Sequence, residues 1–429
     1  MIAINPGAND MRGSTRGLTA AIAVVALVAL TACAADDSGS DSGGKGGGSP
    51  YVVGFNDDLS GPIAVSGTTG LAGFQTYFDY LNKSQGGING HRIEVKVLDT
   101  RADGATSIAN YKQLVDEGAI VVGGNSASAA WAATGPLASQ LKVPQIGFGS
   151  ADAFFTTYDP YMFKTSMPLA QQVSLMGDVV SNYLFKGKTD LRIALNALDT
   201  ASGPPYIDAV KALAKKKGWT IVASQSTKAG ATDCSAQAAV IAASKPDVVL
   251  GSQSTGEDVV CFNQLTTDGY KGPVVNDWFS PGEATMRTLH SDRWITLRMY
   301  NWWDDPTNAG TKTMQQQAVK YGHIGQFGAF SSDGYMSAVL IAAAIKTCGD
   351  DCTGEKVATA LEKLKNVDSN GIAGPALGYT KGDNGHIVPQ ARFFVWDAAT
   401  QHSKPYTDWL CLPGRCSGAA ASPSATPAK

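Results

Sequence analysis

The stretch from Gly86 to Asp152 constrains the fold most, because it alternates between a strand period and a helix period before ending in a polar, small-residue loop. Gly86-Gly87-Ile88-Asn89-Gly90 reads as a turn, and Ile93, Val95 and Val97 then alternate with Glu94 and Lys96 as in a half-buried strand. Ile108, Tyr111, Leu114 and Val115 share one helical stripe, closed by Asp116-Glu117-Gly118. The apolar run Ala119 to Val122 starts the next strand, which ends in Gly123-Gly124-Asn125-Ser126-Ala127-Ser128. Such β-α-β alternation builds an open parallel sheet, and ligand crevices in these sheets lie beyond the carboxyl ends of the strands. Two such ends are Asn125 to Ser128 and Gly149 to Asp152.

The pattern repeats along the chain. Strand Tyr51 to Phe55, a turn-rich loop Asp57 to Gly67 and a helix carrying Leu71, Phe74, Phe78 and Leu81 precede the organising stretch; a helix Ala129 to Leu141 and a strand Val143 to Ile146 follow it. A second series then runs through helix Val173 to Leu184, strand Leu191 to Leu195, helix Tyr206 to Lys217, strand Trp219 to Ala223, helix Ser235 to Ala243, strand Asp247 to Leu250, helix Asp258 to Thr266 and strand Pro273 to Val275. Helices at Thr313 to Tyr321, Tyr335 to Lys346 and Glu355 to Leu364 and a strand at Arg392 to Trp396 complete it. With 429 residues, 44% of them hydrophobic, the chain is long enough for two cored bodies. The expected fold class is α/β, two doubly wound lobes with a cleft between them.

The amino-terminal segment is not part of that fold. Arg12 and Arg16, the apolar run Leu18 to Leu30 and the tetrad Leu30-Thr31-Ala32-Cys33 read as a signal peptide over residues 1–32, with Met11 an alternative initiator. The tetrad resembles a bacterial lipoprotein box, which makes Cys33 the lipidated residue and the membrane a partner through it. Residues 33–50 are then a Gly/Ser/Asp tether, and residues 417–429 a disordered Ala/Ser/Pro tail. The remaining six cysteines are an even number in an exported chain. Cys348 with Cys352 and Cys411 with Cys416 are close across loops, and Cys234 and Cys261 sit at helices flanking one strand, so these three disulfides are expected.

Chemistry-bearing motifs are few. Gly187-Lys188-Thr189 lacks the glycine of a phosphate loop and precedes a strand, no nucleophile elbow or zinc motif occurs, and His91, His290, His323, His386 and His402 are scattered. No metal, cofactor or catalytic residue is expected, and a net charge of −3 without a basic stripe argues against nucleic acid.

Gly-Gly-Ile-Asn-Gly before a strand, Leu98-Asp99-Thr100 after it, Lys112-Gln113-Leu114-Val115 on the helix and the loop after the next strand together resemble the leucine/isoleucine/valine-binding protein family. Its members are the type I periplasmic solute-binding components of branched-chain amino-acid ABC importers. The resemblance extends more weakly from about Val52 to Asp397. It implies an extracytoplasmic, monomeric, non-enzymatic binder of a small-molecule solute that delivers its cargo to ABC permease subunits. It also implies three crossings between lobes, giving lobe 1 as 51–164 plus 300–385 and lobe 2 as 165–299 plus 386–416. A sensory receptor domain of the same fold is the alternative, and an enzyme a more distant one.

Strand-end loops supply the candidate ligand-binding residues: Ser66, Ser126, Ser128, Ser150 and Asp152 on one wall, and Ser202, Gln253, Ser254, Asp277 and Trp278 on the other. Matched to the family, Ser128 corresponds to the serine that holds a ligand carboxylate. Ala151 stands in place of a threonine, Ser66 of an aromatic residue, Ser202 and Ser254 of tyrosines, and Trp278 of the carboxylate that pairs the α-ammonium. Losing a buried ion's partner costs ~3 to 5 kcal/mol. The expected ligand is therefore a carboxylate-bearing non-standard solute, or one with an aromatic or apolar body, rather than a standard zwitterion. The competing arrangement packs Trp278 into lobe 2 and gives the ammonium to Asp277 or Asp152. Trp302 and Trp303 are expected near a lobe crossing, lining hinge, cleft or core.

Overall fold

The computed structural model describes residues 48–61, 63–149, 157–279, 282–379 and 388–416. The signal segment, Cys33, nearly all of the tether, the candidates Ser150, Ala151 and Asp152, and the tail at 417–429 lie outside those residues.

The first series gives β1 (Tyr51–Asp57), α1 (Ala64–Ser84), β2 (Ile93–Asp99), α2 (Gly104–Asp116), β3 (Ala119–Gly124), α3 (Ser128–Leu141), β4 (Gln145–Gly147) and β5 (Met162–Lys164). Its five strands form one parallel sheet in the order β2-β1-β3-β4-β5. Each β-α connection is set by local chemistry. Asp103, for example, caps α2 by accepting the Thr106 amide at 2.7 Å, satisfying a donor that the helix cannot. α1 begins at Ala64, inside the segment the sequence assigned to a turn, so the loop after β1 is short and Ser66 lies on a helix.

The second series gives α4 (Leu169–Val179), which continues as a π-turn over Val180–Leu184, then β6 (Arg192–Asp199), α5 (Gly203–Lys217), β7 (Thr220–Lys228), α6 (Ser235–Ala243), β8 (Val248–Ser252), α7 (Thr255–Thr267), β9 (Val274–Asn276), α8 (Glu283–Leu289) and β10 (Trp294–Arg298). After these come α9 (Ala309–Tyr321), α10 (Ser331–Cys348) and α11 (Gly354–Leu361), and then β11 (Gln390–Asp397), β12 (His402–Pro405) and β13 (Leu410–Cys411). The second sheet runs β12-β11-β10-β9-β8-β6-β7, with β13 on β11; β6 to β10 are parallel and β11 is antiparallel to β10. The expected α/β architecture of two doubly wound lobes is what forms.

Three connections join the lobes side by side. The chain leaves the first sheet after β5, returns after β10 so that α9 and α10 pack on α1, and passes back to the second sheet at β11. The Tyr300 hydroxyl donates to the Thr165 carbonyl at 2.8 Å, and the Val388 amide to the Ser166 carbonyl at 3.4 Å, so the three strands of this hinge are bonded to one another. α1 and α10 meet backbone to backbone. A Cβ on Gly334 would stand 1.8 Å from the Gly70 carbonyl oxygen, and one on Gly73 would stand 1.9 Å from that of Ser331, so only glycine fits. The structure forms three disulfides, Cys234–Cys261, Cys348–Cys352 and Cys411–Cys416.

Candidate functional site

The carboxyl ends of both sheets face a common cleft. Ser126, Ala127, Ser128 and Ala129, after β3 and at the start of α3, oppose Leu198 near the end of β6, Thr200, Ala201 and Ser202 after it, and Asp277 to Phe279 after β9 across a chamber of about 330 Å³. Ile63, Leu198, Ala229 and Phe279 also wall a second chamber of about 210 Å³, which adds Ser66, Ser254, Glu257 and Phe330. The two chambers are neighbours that share those four walls. Apolar side chains from both lobes make the body of the cleft, and hydroxyls and carboxylates punctuate it, as small-solute sites require.

On the first lobe the wall is fixed from behind by two acids. Asp57, the last residue of β1, accepts the Ser126 amide at 2.9 Å and the Ser126 hydroxyl at 2.6 Å through one oxygen; its other oxygen is buried without a hydrogen-bond partner. Burial, and then the neighbouring Asp58, push the Asp57 carboxyl up to about 7. Asp58 in turn accepts the Thr100 hydroxyl and the Ala102 amide. The hydroxyls of Ser66 and Ser126 are 2.9 Å apart, which ties α1 to the β3 loop. Ser128 is the first residue of α3, half-buried at the chamber surface, where the unpaired N–H groups of a helix start also lie.

The second lobe's candidates divide. Ser202 and Asp277 line the larger chamber and Ser254 the smaller, whereas Gln253 is buried and lines neither. Asp277 accepts the Ser252 hydroxyl at 2.6 Å and the Phe279 amide at 3.1 Å. Trp278 touches the larger chamber but is only 1% exposed. Its indole N–H donates to Asp333 on α10 at 2.8 Å, its amide donates to Gln172 on α4 at 3.0 Å, and its ring packs edge-on against Phe148 of the first lobe and Phe330. The indole is therefore a fixed wall between lobes with its one polar atom spent. Trp302, 1% exposed, lies under the Arg298 guanidinium at 4.4 Å and against Phe394, while half-buried Trp303 packs on Phe327.

Sequence reasoning missed Glu257. It is the third residue of α7, 2% exposed, and its carboxylate accepts the Gly230 amide and the Ser254 hydroxyl. Its signal was present as Ser254-x-x-Glu257, the spacing of a capping box, but the helix was expected to start at Asp258, three residues later than it does. The apolar walls Ile63, Leu169, Leu198 and Phe279 were also unforeseen, because single apolar residues after strands carry no distinguishing pattern.

Two α/β lobes on a bonded three-strand hinge, with a solute-sized cleft at facing strand ends, define a two-lobed binding protein. The sequence matches the periplasmic binding protein family over residues 50–401, so the chain belongs to that family. It is 24% identical over 356 residues to the Leu/Ile/Val-binding protein homolog 3 of Brucella melitensis biotype 1, covering 79% of this chain and 92% of the relative. Its fold is similar to that of a branched-chain amino-acid ABC transporter protein from Thermus thermophilus with bound valine (TM-score 0.74, 17% identity, 85% of this chain and 98% of that one). It is also similar to a fatty-acid ABC transporter substrate-binding protein from Thermomonospora curvata (TM-score 0.72, 16% identity, 85% and 93%). The resemblance read from Gly86 to Gly124 is borne out, and the family is one of extracytoplasmic solute-binding proteins rather than enzymes.

Proposed function

We propose that the chain is the membrane-tethered solute receptor of an ABC importer of the branched-chain amino-acid type, working as a monomer. Cys33 carries the lipid and residues 33–50 are the tether. Lobe 1 comprises 51–164 plus 300–385, and lobe 2 comprises 165–299 plus 386–416. The solute enters the cleft and is touched by both walls only when the lobes close, so binding shifts the hinge equilibrium and presents a closed surface to the permease subunits.

The observation that carries this reading is the cleft itself, whose larger chamber takes its walls from both lobes. Ser128 and the start of α3 suit a carboxylate, and Ile63, Leu169, Leu198 and Phe279 suit an apolar body. The ligand is accordingly a small carboxylate-bearing solute with an apolar middle. The Trp278 indole shapes that middle as a rigid face. Isothermal calorimetry on the purified full chain tests this, with leucine, isoleucine and valine beside aliphatic and aromatic carboxylates, followed by small-angle scattering with the tightest of them. Binding with a decrease in radius of gyration is expected. Binding without compaction overturns closure, and failure of every solute overturns the reading. Cys33→Ser is expected to release the protein from the membrane fraction.

A further inference from the structure

We infer that the solute carries an ammonium group and that Glu257 holds it in the smaller chamber, at the end opposite the carboxylate; this rests on the solute-binding reading above. A carboxylate sealed from solvent is retained only when something of opposite charge or several donors compensates it. Glu257 is 2% exposed and receives two hydrogen bonds, from the Gly230 amide and the Ser254 hydroxyl, against about four acceptor positions that a carboxylate offers. Among the described residues it has no ion pair with a Lys, Arg or His, and neither chamber is lined by a basic side chain. The start of α7 offsets part of the charge, but the larger chamber adds another acid in Asp277, with Asp57 and Asp58 directly behind the Ser66–Ser126 pair. Among the described residues the charged side chains that line the two chambers are all acidic, and the counter-ion for Glu257 belongs to the cargo.

The rest of the smaller chamber fits an alkylammonium. Phe279 and Phe330 present aromatic surface, which attracts a cation electrostatically, and Ser66 and Ser254 bring hydroxyls to the same chamber. Ser126 and Ser128 line only the larger chamber and Glu257 only the smaller. A solute bound in both therefore has its two charged ends separated by its apolar middle. That describes an ω-amino acid rather than an α-amino acid, whose two charges share one carbon.

Calorimetry with the full chain decides it, using 5-aminopentanoate, its des-amino analogue pentanoate, and leucine. The expected order is 5-aminopentanoate tightest. Glu257→Gln keeps an oxygen for the Gly230 amide and is expected to weaken 5-aminopentanoate at least about 30-fold, abolishing its preference over pentanoate. Should the variant fail to fold by circular dichroism, the preference of the unaltered protein for 5-aminopentanoate over pentanoate and leucine decides alone. Tighter pentanoate or leucine, or an unchanged Glu257→Gln, overturns the inference and leaves solute binding standing. No binding by these three and by the wider carboxylate panel removes both.

Discussion

Replacing Asp333 by Asn tests the joint between the lobes. Asp333 on α10 and Arg298 on β10 are 0% exposed and paired at 2.5 Å; Asp333 also accepts the Trp278 indole, and Arg298 donates to the Trp278 and Ala329 carbonyls at 3.2 and 2.9 Å. Burial pushes the Asp333 carboxyl up and the Arg298 guanidinium down despite their attraction, so desolvation outweighs the pairing and the intact bridge adds little net stability. Breaking it is another matter. Asp333→Asn leaves a guanidinium that is sealed from water, with a partnerless Nε, facing only neutral oxygens, at a cost of ~3–5 kcal/mol. That is a large part of the ~5–15 kcal/mol that holds a protein folded. One apolar core runs from Phe55 and Phe148 through Trp278 to Leu297 and Met336, so the loss registers in a single urea transition followed by circular dichroism. The double variant Arg298→Met with Asp333→Leu removes both charges and is expected to recover at least ~2 kcal/mol of it. A single-variant cost under ~1 kcal/mol, or a double variant as poor as the sum of both singles, refutes the reasoning.

Two further predictions concern groups away from that joint. Asp57 holds its proton more tightly folded (about 7) than at its ordinary 3.8, so its contribution is complete below about pH 3.8 and is lost as pH rises through about 7. Asp99 and Asp247 are shifted the opposite way, so the measurable quantity is the difference from Asp57→Asn. The wild type should lose up to about 1.4 kcal/mol per pH unit relative to the variant between about pH 4 and 7, and parallel stability curves would exclude it. The Cys234–Cys261 disulfide closes a separation of 27 residues, and its double alanine variant should lose ~3–4 kcal/mol, against ~2 for Cys348–Cys352 with a separation of 4. Labelling of all six thiols without reductant would show that these bonds do not form.

How far the sequence could be read depended on whether a feature repeats. β2 and α2 were legible because Ile93, Val95 and Val97 repeat at a strand period and Ile108, Tyr111 and Leu114 at a helical one, and both segments fold as strand and helix, although only Ile93, Tyr111 and Leu114 of these are fully buried. β10 was not legible, because Trp294 to Arg298 are all buried, and a strand covered on both faces has no alternation to display. β5 spans three residues, too few for any period. The site divides along the same line. Strand ends can be located from the strands, and Ser126, Ser128, Ser202 and Asp277, read from those ends, all line the larger chamber even though each is an ordinary loop residue. The reading of Trp278 rested on the ring alone. Its indole N–H is consumed by Asp333, which lies 55 residues away in sequence. Glu257 shows the converse. In sequence it is one acid among several near a helix start, and only folding, which brings Gly230 from the β7 loop and Ser66 from the other lobe to the same chamber, makes it a buried charge with no basic partner among the described residues. Family correspondence had located the ammonium partner at position 278, where it is lost. Charge balance locates it at Glu257, on a different loop of the same cleft, and moving the positive end of the cargo along the cleft is how one scaffold changes what it carries without changing its fold.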